Sequence, residues 1–222
     1  SAEVPGKYKG IRLGVSYGGV SYANFSQMNI SATDPIRLMN ASESFFLRAE
    51  GALRGWNMGG GTAQSFYEQG ITLAFQERGV NMPAGYLSDA TSTAAPYVDP
   101  ENAADDVLAG SPHLNNVTIK WNDADSFETK LQKIITQKWI AIFPDGQEAW
   151  TEQRRTGYPV LFPVVNNNSN GTISTALGIR RLPFPSSELS NNAGEVAKAV
   201  QMLGGPDNGG TRLWWDQNPN VH

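Results

Sequence analysis

Histidine and cysteine carry much of the nucleophilic and metal chemistry of proteins, and this 222-residue chain has two histidines and no cysteine. A Ser-His-Asp site would depend on His113, because His222 is the last residue. His113 lies in the turn-like sequence GSPHLNN, which is not a nucleophile elbow. Two distant histidines without thiolates also supply too few of the ligands that zinc prefers. We interpret His113 as a solvated loop residue and expect no catalytic residue.

Paired carboxylates could hydrolyse glycosides if they faced each other at a fixed separation across a sugar cleft. The nearest pairs are Asp123 with Asp125 and Glu148 with Glu152. The sequence does not establish either separation. Glu148 and Glu152 lie one helical turn apart beside two arginines, which favours helix capping and surface ion pairs. A glycoside hydrolase is therefore a remote alternative.

Loop oxygens could also bind calcium. Asp207, Asn208 and Asp216 are weak candidates, but they do not match an EF-hand, and we predict neither a metal site nor a cofactor. The glycines at 59–61 could cradle an anion at the start of a helix. They lack the lysine of a P-loop, so a helix-to-helix turn with positive φ is the better interpretation.

Sugar binding requires flat aromatic faces for the C–H patches of pyranose rings and polar groups for the hydroxyls. Aromatic residues in loops or at a helix exit, with their polar neighbours, are our glycan-binding candidates: Trp121, Asn122, Asp123, Tyr86, Tyr97, Trp56 and Asn57. A core or surface-packing role stays open for these aromatic residues. Trp139 and Trp150 follow the helical period and are predicted to be core. For Trp214 and Trp215 we predict packing of the C-terminal segment.

A helical hairpin is predicted at 126–157. Its first helix begins near Ser126, where Asp125 and Glu128 have capping-box spacing, and ends at Pro144. Apolar residues recur along it at helical period, namely Phe127, Leu131, Ile134, Ile135, Trp139 and Ile142. The resulting stripe predicts one buried side.

The second helix of this hairpin begins after Asp145, which can act as its cap with Glu148 three residues on. Gly157 and Pro159 are placed to stop it. Nothing in the hairpin is obviously catalytic.

A similar hairpin is predicted at 40–79. Asn40 and Glu43 have capping-box spacing, and a stripe follows at Phe46, Ala49, Leu53 and Trp56. Thr62 opens the second helix and Gly79 ends it, with a buried side formed by Tyr67, Ile71, Ala74 and Phe75. Two hairpins of like build predict tetratricopeptide-like packing.

The other segments predict little regular structure. The opening forty residues are interpreted as extended segments and turns, and 80–125 as a long loop excursion with a short helix near 101–108. The C-terminal segment, 158–222, is expected to hold extended pieces and a helix at 192–203 whose inward residues are Val196, Val200 and Leu203. The fold class is mainly α, with tetratricopeptide-like hairpins, long irregular loops and a few short strands.

Composition excludes several functions. The net charge of −4 and a pI near 5.2 argue against nucleic acid as a partner, which needs clustered Lys and Arg. The pairs Arg154-Arg155 and Arg180-Arg181 are isolated, and salt bridges or helix C-terminal charges explain them. No apolar run approaches the ~20 residues of a membrane span.

Four segments, in this order, resemble the SusD/RagB family. They are SESFFLRAEGALRGWNMGG at 42–60, QKIITQKWIAIFPDGQEAWTEQRRTGYP at 132–159, RRLPFPSSELSNN at 180–192 and LGGPDNGGTRLWWD at 203–216. Together they match what the C-terminal part of a SusD-like protein would show, and the resemblance covers most of the chain.

The resemblance implies an outer-membrane lipoprotein of Bacteroidetes-type bacteria that serves polysaccharide utilisation. It would bind an oligosaccharide at the cell surface without catalysis and pass it to a SusC-like TonB-dependent transporter. The helical side would dock on the transporter, while loop aromatics and amides on the opposite face would hold the sugar.

Family members normally begin with a signal peptide, a lipidated cysteine and further helical repeats, which this sequence does not show. We therefore interpret 1–222 as equivalent to the C-terminal part of a SusD-like domain, with any lipid anchor lying outside it. The alternative is a helical-repeat scaffold that binds protein and has no glycan site here.

Overall fold

The computed structural model describes residues 8–15, 25–35 and 37–217, and the regular structure in these ranges is helical. Six α-helices lie within them: α1 (Ala41–Leu53), α2 (Ala63–Glu77), α3 (Phe127–Ala141), α4 (Gly146–Thr156), α5 (Ser186–Asn191) and α6 (Ala193–Leu203). Extended pairing in the described part of the chain is limited to one antiparallel bridge between Tyr97 and Val107. The mainly α prediction is confirmed, while the predicted short strands reduce to this bridge.

Helices α1, α2 and α3 pack against one another around the core. α1 is antiparallel to the other two: Glu77 at the end of α2 contacts the start of α1, and Arg54 after α1 lies 5.5 Å from the ring of Phe127 at the start of α3. The buried cluster between them contains Phe46, Ala49, Phe66, Tyr67, Ile71, Trp121, Ile134 and Ala141. Burial of each large apolar side chain contributes about 1.5–3 kcal/mol.

Three consecutive glycines turn the chain between α1 and α2. Gly59, Gly60 and Gly61 have φ values of 81°, 82° and 113°, a region that strains other residues. Thr62 then caps α2, accepting at Oγ1 from the Ser65 amide at 3.1 Å, while Ser65 Oγ accepts from the Thr62 amide at 2.9 Å. The predicted helix-to-helix turn is confirmed.

The start of α1 is capped by a side chain from α2. The Glu77 carboxylate accepts from the Ala41 amide at 2.6 Å, from the Ser42 amide at 3.3 Å and from Ser42 Oγ at 2.6 Å. Asn40 occupies the cap position but its side chain makes no cap bond. The predicted capping box is wrong here because Glu43 pairs with a lysine of α3 instead.

Helix α3 begins where predicted, but with a different cap. Ser126 Oγ accepts from the Thr129 amide at 3.1 Å. Asp125, the predicted cap, instead forms an ion pair at 2.7 Å with Lys133, which lies in the second turn of α3. The Ser126 hydroxyl therefore caps the helix, because the Asp125 carboxylate is engaged in the ion pair with Lys133.

The apolar stripe of α3 is narrower than predicted. Its buried members are Leu131, Ile134, Ile135 and Ile142. Phe127 and Trp139 lie at the margins and are 40% and 39% exposed. The core prediction for Trp139 is wrong because the neighbouring Lys138, 1% exposed, occupies the buried side and binds carboxylates there.

Helix α4 is held by ion pairs. Lys138 Nζ lies 2.6 Å from Glu152 Oε1 and 2.7 Å from Glu148 Oε1, which joins α4 to α3. Arg155 lies 2.6 Å from Glu50, which joins α4 to α1, and 2.6 Å from Glu152 within α4 itself. The predicted ion pairs of the two glutamates are present, but at Glu152 they are buried rather than on the surface.

The excursion at 80–125 contains two short 3₁₀ turns, Tyr86–Ser88 and Ala103–Asp105. The longer helix predicted at 101–108 is wrong, because the chain becomes extended at Asp106, with φ −64° and ψ 150°.

The C-terminal segment holds the predicted helix as α6, with Val196 buried and Val200 and Leu203 partly buried. The short helix α5 before it was not predicted. The described parts of the opening forty residues contain neither helix nor strand, as expected, and 1–7, 16–24 and 36 lie outside the described residues.

Candidate functional site

Trp121, the leading sugar-binding candidate, belongs to the core. It is 6% exposed and its ring lies 5.4 Å from that of Tyr67. Its Nε1 donates to Asp123 Oδ1 at 2.9 Å. The chain before it is fixed on α2, since the Tyr67 hydroxyl donates to the Ile119 carbonyl at 2.8 Å. No face of this indole is available to a ligand, so the prediction for Trp121 is wrong.

Tyr86 is half-buried beside α2 and α3. Its ring meets that of Phe75 edge-on at 5.1 Å, and its hydroxyl donates to Gln137 Oε1 at 3.2 Å. One side of its 3₁₀ turn lines a shallow pocket of about 470 Å³ that also includes Asp89 and Thr91. The Asp89 carboxylate accepts from the amide and the hydroxyl of Thr91 in a turn, and Tyr86 is the aromatic residue in the lining of this pocket.

Tyr97 serves a structural role in the excursion. Its hydroxyl donates to the Gly10 carbonyl at 2.9 Å and to Asp99 Oδ2 at 3.2 Å. Its ring lies 5.4 Å from that of Phe162. Burial, followed by the negative charge of Asp99, raises the pKa of the hydroxyl above its ordinary value. Tyr97 therefore ties three segments together, away from the other candidates.

The remaining candidates lie at the same end of the helical packing. Trp56 and Asn57 follow the end of α1, and Asn122 and Asp123 precede the start of α3, which is antiparallel to it. Phe127 lies at the same end under Arg54. We call this region the bundle-end surface and define it by Trp56, Asn57, Asn122, Asp123 and Phe127.

The bundle-end surface combines an aromatic face with polar groups. Trp56 is 64% exposed, and its amide is held by the Gly51 carbonyl at 2.9 Å. Asn57 Oδ1 accepts from the Gly59 amide at 3.1 Å, which orients its side chain. Asn122 and Asp123 are exposed. Indole, amide and carboxylate groups in one region are the elements that a neutral sugar requires.

The calcium candidates are occupied by arginines. Both oxygens of Asp216 accept from Arg180, at 2.8 and 2.6 Å, in a fully buried pair. Asp207 pairs with Arg181, and Asn208 Oδ1 accepts from backbone amides of its own turn. Within the described ranges no three His, Cys, Asp or Glu residues gather as metal ligands. These oxygens are therefore engaged within the chain, and the predicted salt bridges of Arg180 and Arg181 are confirmed.

The acidic pairs do not face an open cleft. Glu148 and Glu152 share the Lys138 ammonium group, and Asp125 pairs with Lys133. Asp123 accepts the indole proton of the core tryptophan.

His113 is exposed in a turn, where its amide donates to Ser111 Oγ at 3.2 Å. His222 lies outside the described residues. The arrangement supports binding by aromatic and amide groups better than acid-base chemistry.

Sequence reasoning missed an aromatic surface near the C-terminus. Trp214 is 86% exposed and Trp215 42% exposed, although packing was predicted for both. Trp150, predicted to be core, is half-buried beside the Arg154 guanidinium at 3.9 Å. Helical periodicity could not reveal this, because Trp214 and Trp215 lie in a turn.

A model of the SusD-like family, described as Susd and RagB outer membrane lipoprotein, matches residues 1–216 of this chain. The chain belongs to the SusD-like family. The resemblance drawn from the four sequence segments is thereby confirmed, and the SusD-like chain falls within a family of outer-membrane lipoproteins. Among the described helices, none has the length and apolarity to cross a membrane.

Solved structures agree with this assignment. A chitin-binding SusD homolog from Flavobacterium johnsoniae is 56% identical, with a TM-score of 0.87 over 97% of this chain and 44% of that one. SusD homologs from Bacteroides uniformis and Bacteroides vulgatus are 46% and 40% identical, with TM-scores of 0.81 and 0.84 over 88% and 97% of this chain. The SusD-like chain spans 44% or less of these three relatives. No curated protein matches it.

Proposed function

We propose that this SusD-like protein binds chitin-type oligosaccharides, chains of N-acetylglucosamine, without cleaving them. The observation that carries the proposal is the 56% identity, across 97% of the chain, to a SusD homolog described as chitin-binding. Identity at this level preserves backbone geometry and many surface residues, so a related ligand is the natural expectation.

The bundle-end surface is the proposed contact region for this glycan. Trp56 offers an exposed indole face on a rigid helix exit, and the C–H side of a pyranose ring would stack there. Asn57, Asn122 and Asp123 would bond the hydroxyl and acetamido groups. Tyr86 and Tyr97 stand apart from this region, so we do not include them.

Binding without turnover is supported by the state of the carboxylates. A glycosidase needs two facing acids, one of them protonated near neutral pH. In the described residues the acidic pairs predicted from sequence serve ion pairs or an indole instead.

The proposal extends to the cell surface and a SusC-like TonB-dependent transporter, which family membership supports. The exposed Trp139 and Ile140 of α3, and Phe143 just after it, offer apolar contacts on the helical side. Affinity purification from detergent extracts of outer membranes should recover such a transporter with the tagged protein. Its absence from the purified material would contradict this extension.

The first test is calorimetric titration with chitohexaose, using cellohexaose and maltohexaose as matched neutral ligands and analysing the sugars afterwards. We expect selective binding of chitohexaose and an unchanged hexasaccharide. Shortened products would contradict non-catalytic binding. Absence of a binding signal with all three sugars would contradict glycan binding and favour a scaffold that binds only protein.

The second test addresses the bundle-end surface. Trp56→Ala should weaken chitohexaose binding roughly three- to tenfold, because it removes one stacking face. Trp139→Ala is the matched control, since it removes a half-exposed indole from the outer side of α3. Equal affinities of the two variants for chitohexaose would contradict the assignment of the glycan site to the bundle-end surface.

A further inference from the structure

The chain before residue 217 is anchored by a buried ion pair. Arg180 and Asp216 make a bidentate contact, and their side chains are 0% and 1% exposed. Arg180 also donates to the Arg154 carbonyl at 3.0 Å, while Arg154 donates to the Arg180 carbonyl at 2.6 Å. The backbone at Trp214 and Trp215, directly before Asp216, is therefore anchored by this buried ion pair.

The Arg154 guanidinium group lies between the indole rings of Trp150 and Trp215. The Arg154 Cζ atom is 3.9 Å from the ring centroid of Trp150 and 5.3 Å from that of Trp215. Trp150 is further fixed by donation from Nε1 to the Ile179 carbonyl at 3.0 Å. Cation–π contacts of this kind stabilise the stack and restrict both rings.

Trp214 has 86% of its surface exposed. Beside the stack, the buried Nε atom of Arg154 has no hydrogen-bond partner in the described part of the chain. The backbone of Trp214 is held in its turn, since the Asp216 amide donates to the Leu213 carbonyl at 2.9 Å and Gln217 Nε2 donates to the Trp214 carbonyl at 3.0 Å. An indole has two side-chain torsions to fix, so an exposed tryptophan on such a turn loses little conformational entropy when it binds.

We propose that Trp214, Trp215, Trp150 and Arg154 form a second carbohydrate contact surface, which we call the indole platform. It would take the same chitin-type oligosaccharide, and in this respect it rests on the proposed function. Trp214 would stack on the C–H face of a pyranose ring.

Neighbouring residues favour a sugar over a protein at the indole platform. The apolar run around Trp214 is limited to Leu213, Trp214 and Trp215, with Arg212 before it and, after the buried Asp216, the exposed Gln217. A stable protein interface buries about 800 Å² on each partner. A projecting ring in so short an apolar run suits one pyranose unit better than such an interface.

Indole oxidation tests the indole platform directly. N-bromosuccinimide would be added to the protein with and without chitohexaose, and tryptic peptides would be followed by mass spectrometry. The sequence separates the tryptophans well: Trp56 falls in peptide 55–78, Trp121 in 121–130, Trp139 and Trp150 in 139–154, and Trp214 and Trp215 in 213–222. Fragment ions distinguish the members of each pair.

We expect Trp214 to be oxidised early in the free protein and to be protected by chitohexaose. Buried Trp121 should react little in either sample, which provides an internal control. Unchanged oxidation of Trp214, in samples where calorimetry shows bound chitohexaose, would overturn the indole platform and leave the proposed function standing. Absence of calorimetric binding by the wild type would overturn both.

Variants give an independent readout. Trp214→Ala should weaken chitohexaose binding roughly three- to tenfold, and Trp214→Tyr should restore most of the affinity because a flat ring remains. Met202→Ala, which removes another highly exposed apolar side chain from α6, should bind like the wild type. Wild-type affinity in Trp214→Ala would overturn the proposal.

Discussion

Two tryptophans near α3 illustrate how burial decides the contribution of a single residue. Trp121 is 6% exposed, fills the space beside Tyr67 and satisfies its only polar atom inside the protein. Trp139 leaves 39% of its surface in solvent. Removing the first opens a cavity in the core, whereas removing the second mainly trims the surface.

Trp121→Ala should therefore lower the free energy of unfolding by about 3–5 kcal/mol, the usual range for a buried tryptophan. Trp139→Ala should lower it by less, since much of that indole never leaves water. Urea denaturation followed by circular dichroism would measure both. A larger loss for Trp139→Ala than for Trp121→Ala would show that our account of the core is wrong.

Glu50 is the residue whose protonation should most directly weaken the ion network. Burial acts to raise its pKa, but the hydrogen bonds and charges of Arg155 and Arg54 outweigh burial and hold the pKa below its ordinary value of 4.5. Its contribution to stability is thus present above pH 4.5 and is lost as pH falls from there through the lowered pKa.

Glu50→Gln should accordingly reduce the loss of stability below pH 4.5, as measured by urea denaturation across a pH series. Glu43→Gln should act in the opposite sense, because burial raises the pKa of Glu43 in the folded protein. In the wild type, the contribution of Glu43 to the free energy of unfolding therefore falls as pH rises from 4.5 through that raised pKa, and the Glu43→Gln variant should not show this fall. The same pH slope in both variants would refute this assignment.

At the scale of elements, α1 depends on α2 for its first turn. The free amides at the start of a helix need acceptors, and the Glu77 carboxylate supplies them from the last turn of α2. A negative group at this position also suits the helix dipole. The side chain at the formal cap, Asn40, contributes no such bond.

Glu77→Ala should lower the free energy of unfolding by about 1 kcal/mol, the typical value of a lost cap. Asn40→Ala should have a smaller effect, although a sequence-based assignment of the cap predicts the reverse. Parallel urea titrations of the two variants would decide the order. A greater loss in Asn40→Ala would contradict the capping by Glu77.

Local signals explain which elements could be predicted. The bounds of α4 follow from Asp145, which accepts from the Glu148 amide at 3.0 Å, and from Gly157, whose φ is 80°. Each of these signals acts within four residues of the helix end that it sets. The burial of Trp121 and the exposure of Trp214 depend on contacts with distant segments, which no period or cap encodes.

The candidate sites were less predictable for the same reason. Trp56 and Asn57 could be proposed from a helix exit, but their location at the same end as Asn122 and Asp123 follows from the antiparallel packing of α1 and α3. The indole platform depends on the ion pair between Arg180 and Asp216, which are 36 residues apart in the sequence.

At the scale of the whole molecule, the charges of the two arginine pairs are directed inward. Arg155, Arg180 and Arg181 bind carboxylates of this chain, and Arg154 lies between indoles. The net charge is −4. A protein of this kind has little electrostatic means of attracting an anionic ligand, and a neutral glycan suits it better.

Binding of chitohexaose should therefore be nearly independent of salt. Raising NaCl from about 0.1 M to about 1 M shortens the Debye length from about 10 Å to about 3 Å, yet an uncharged ligand has no Coulombic attraction to lose. Calorimetry at the two concentrations should give dissociation constants within about twofold of each other. A steep weakening with salt would point to a charged ligand instead.

The ion pairs of α4 have a consequence for the uniqueness of the native state. Apolar contacts tolerate sliding, whereas Lys138 and Glu152 meet in one alignment of the two helices. Replacing Lys138 by methionine and Glu43, Glu148 and Glu152 by glutamine removes the ammonium group together with its carboxylate partners, so no buried charge of this cluster is left unpaired, but it also removes the discrimination against shifted alignments. We expect such a variant to show doubled amide resonances for α4 in NMR spectra, and a single set would show that packing alone selects the alignment.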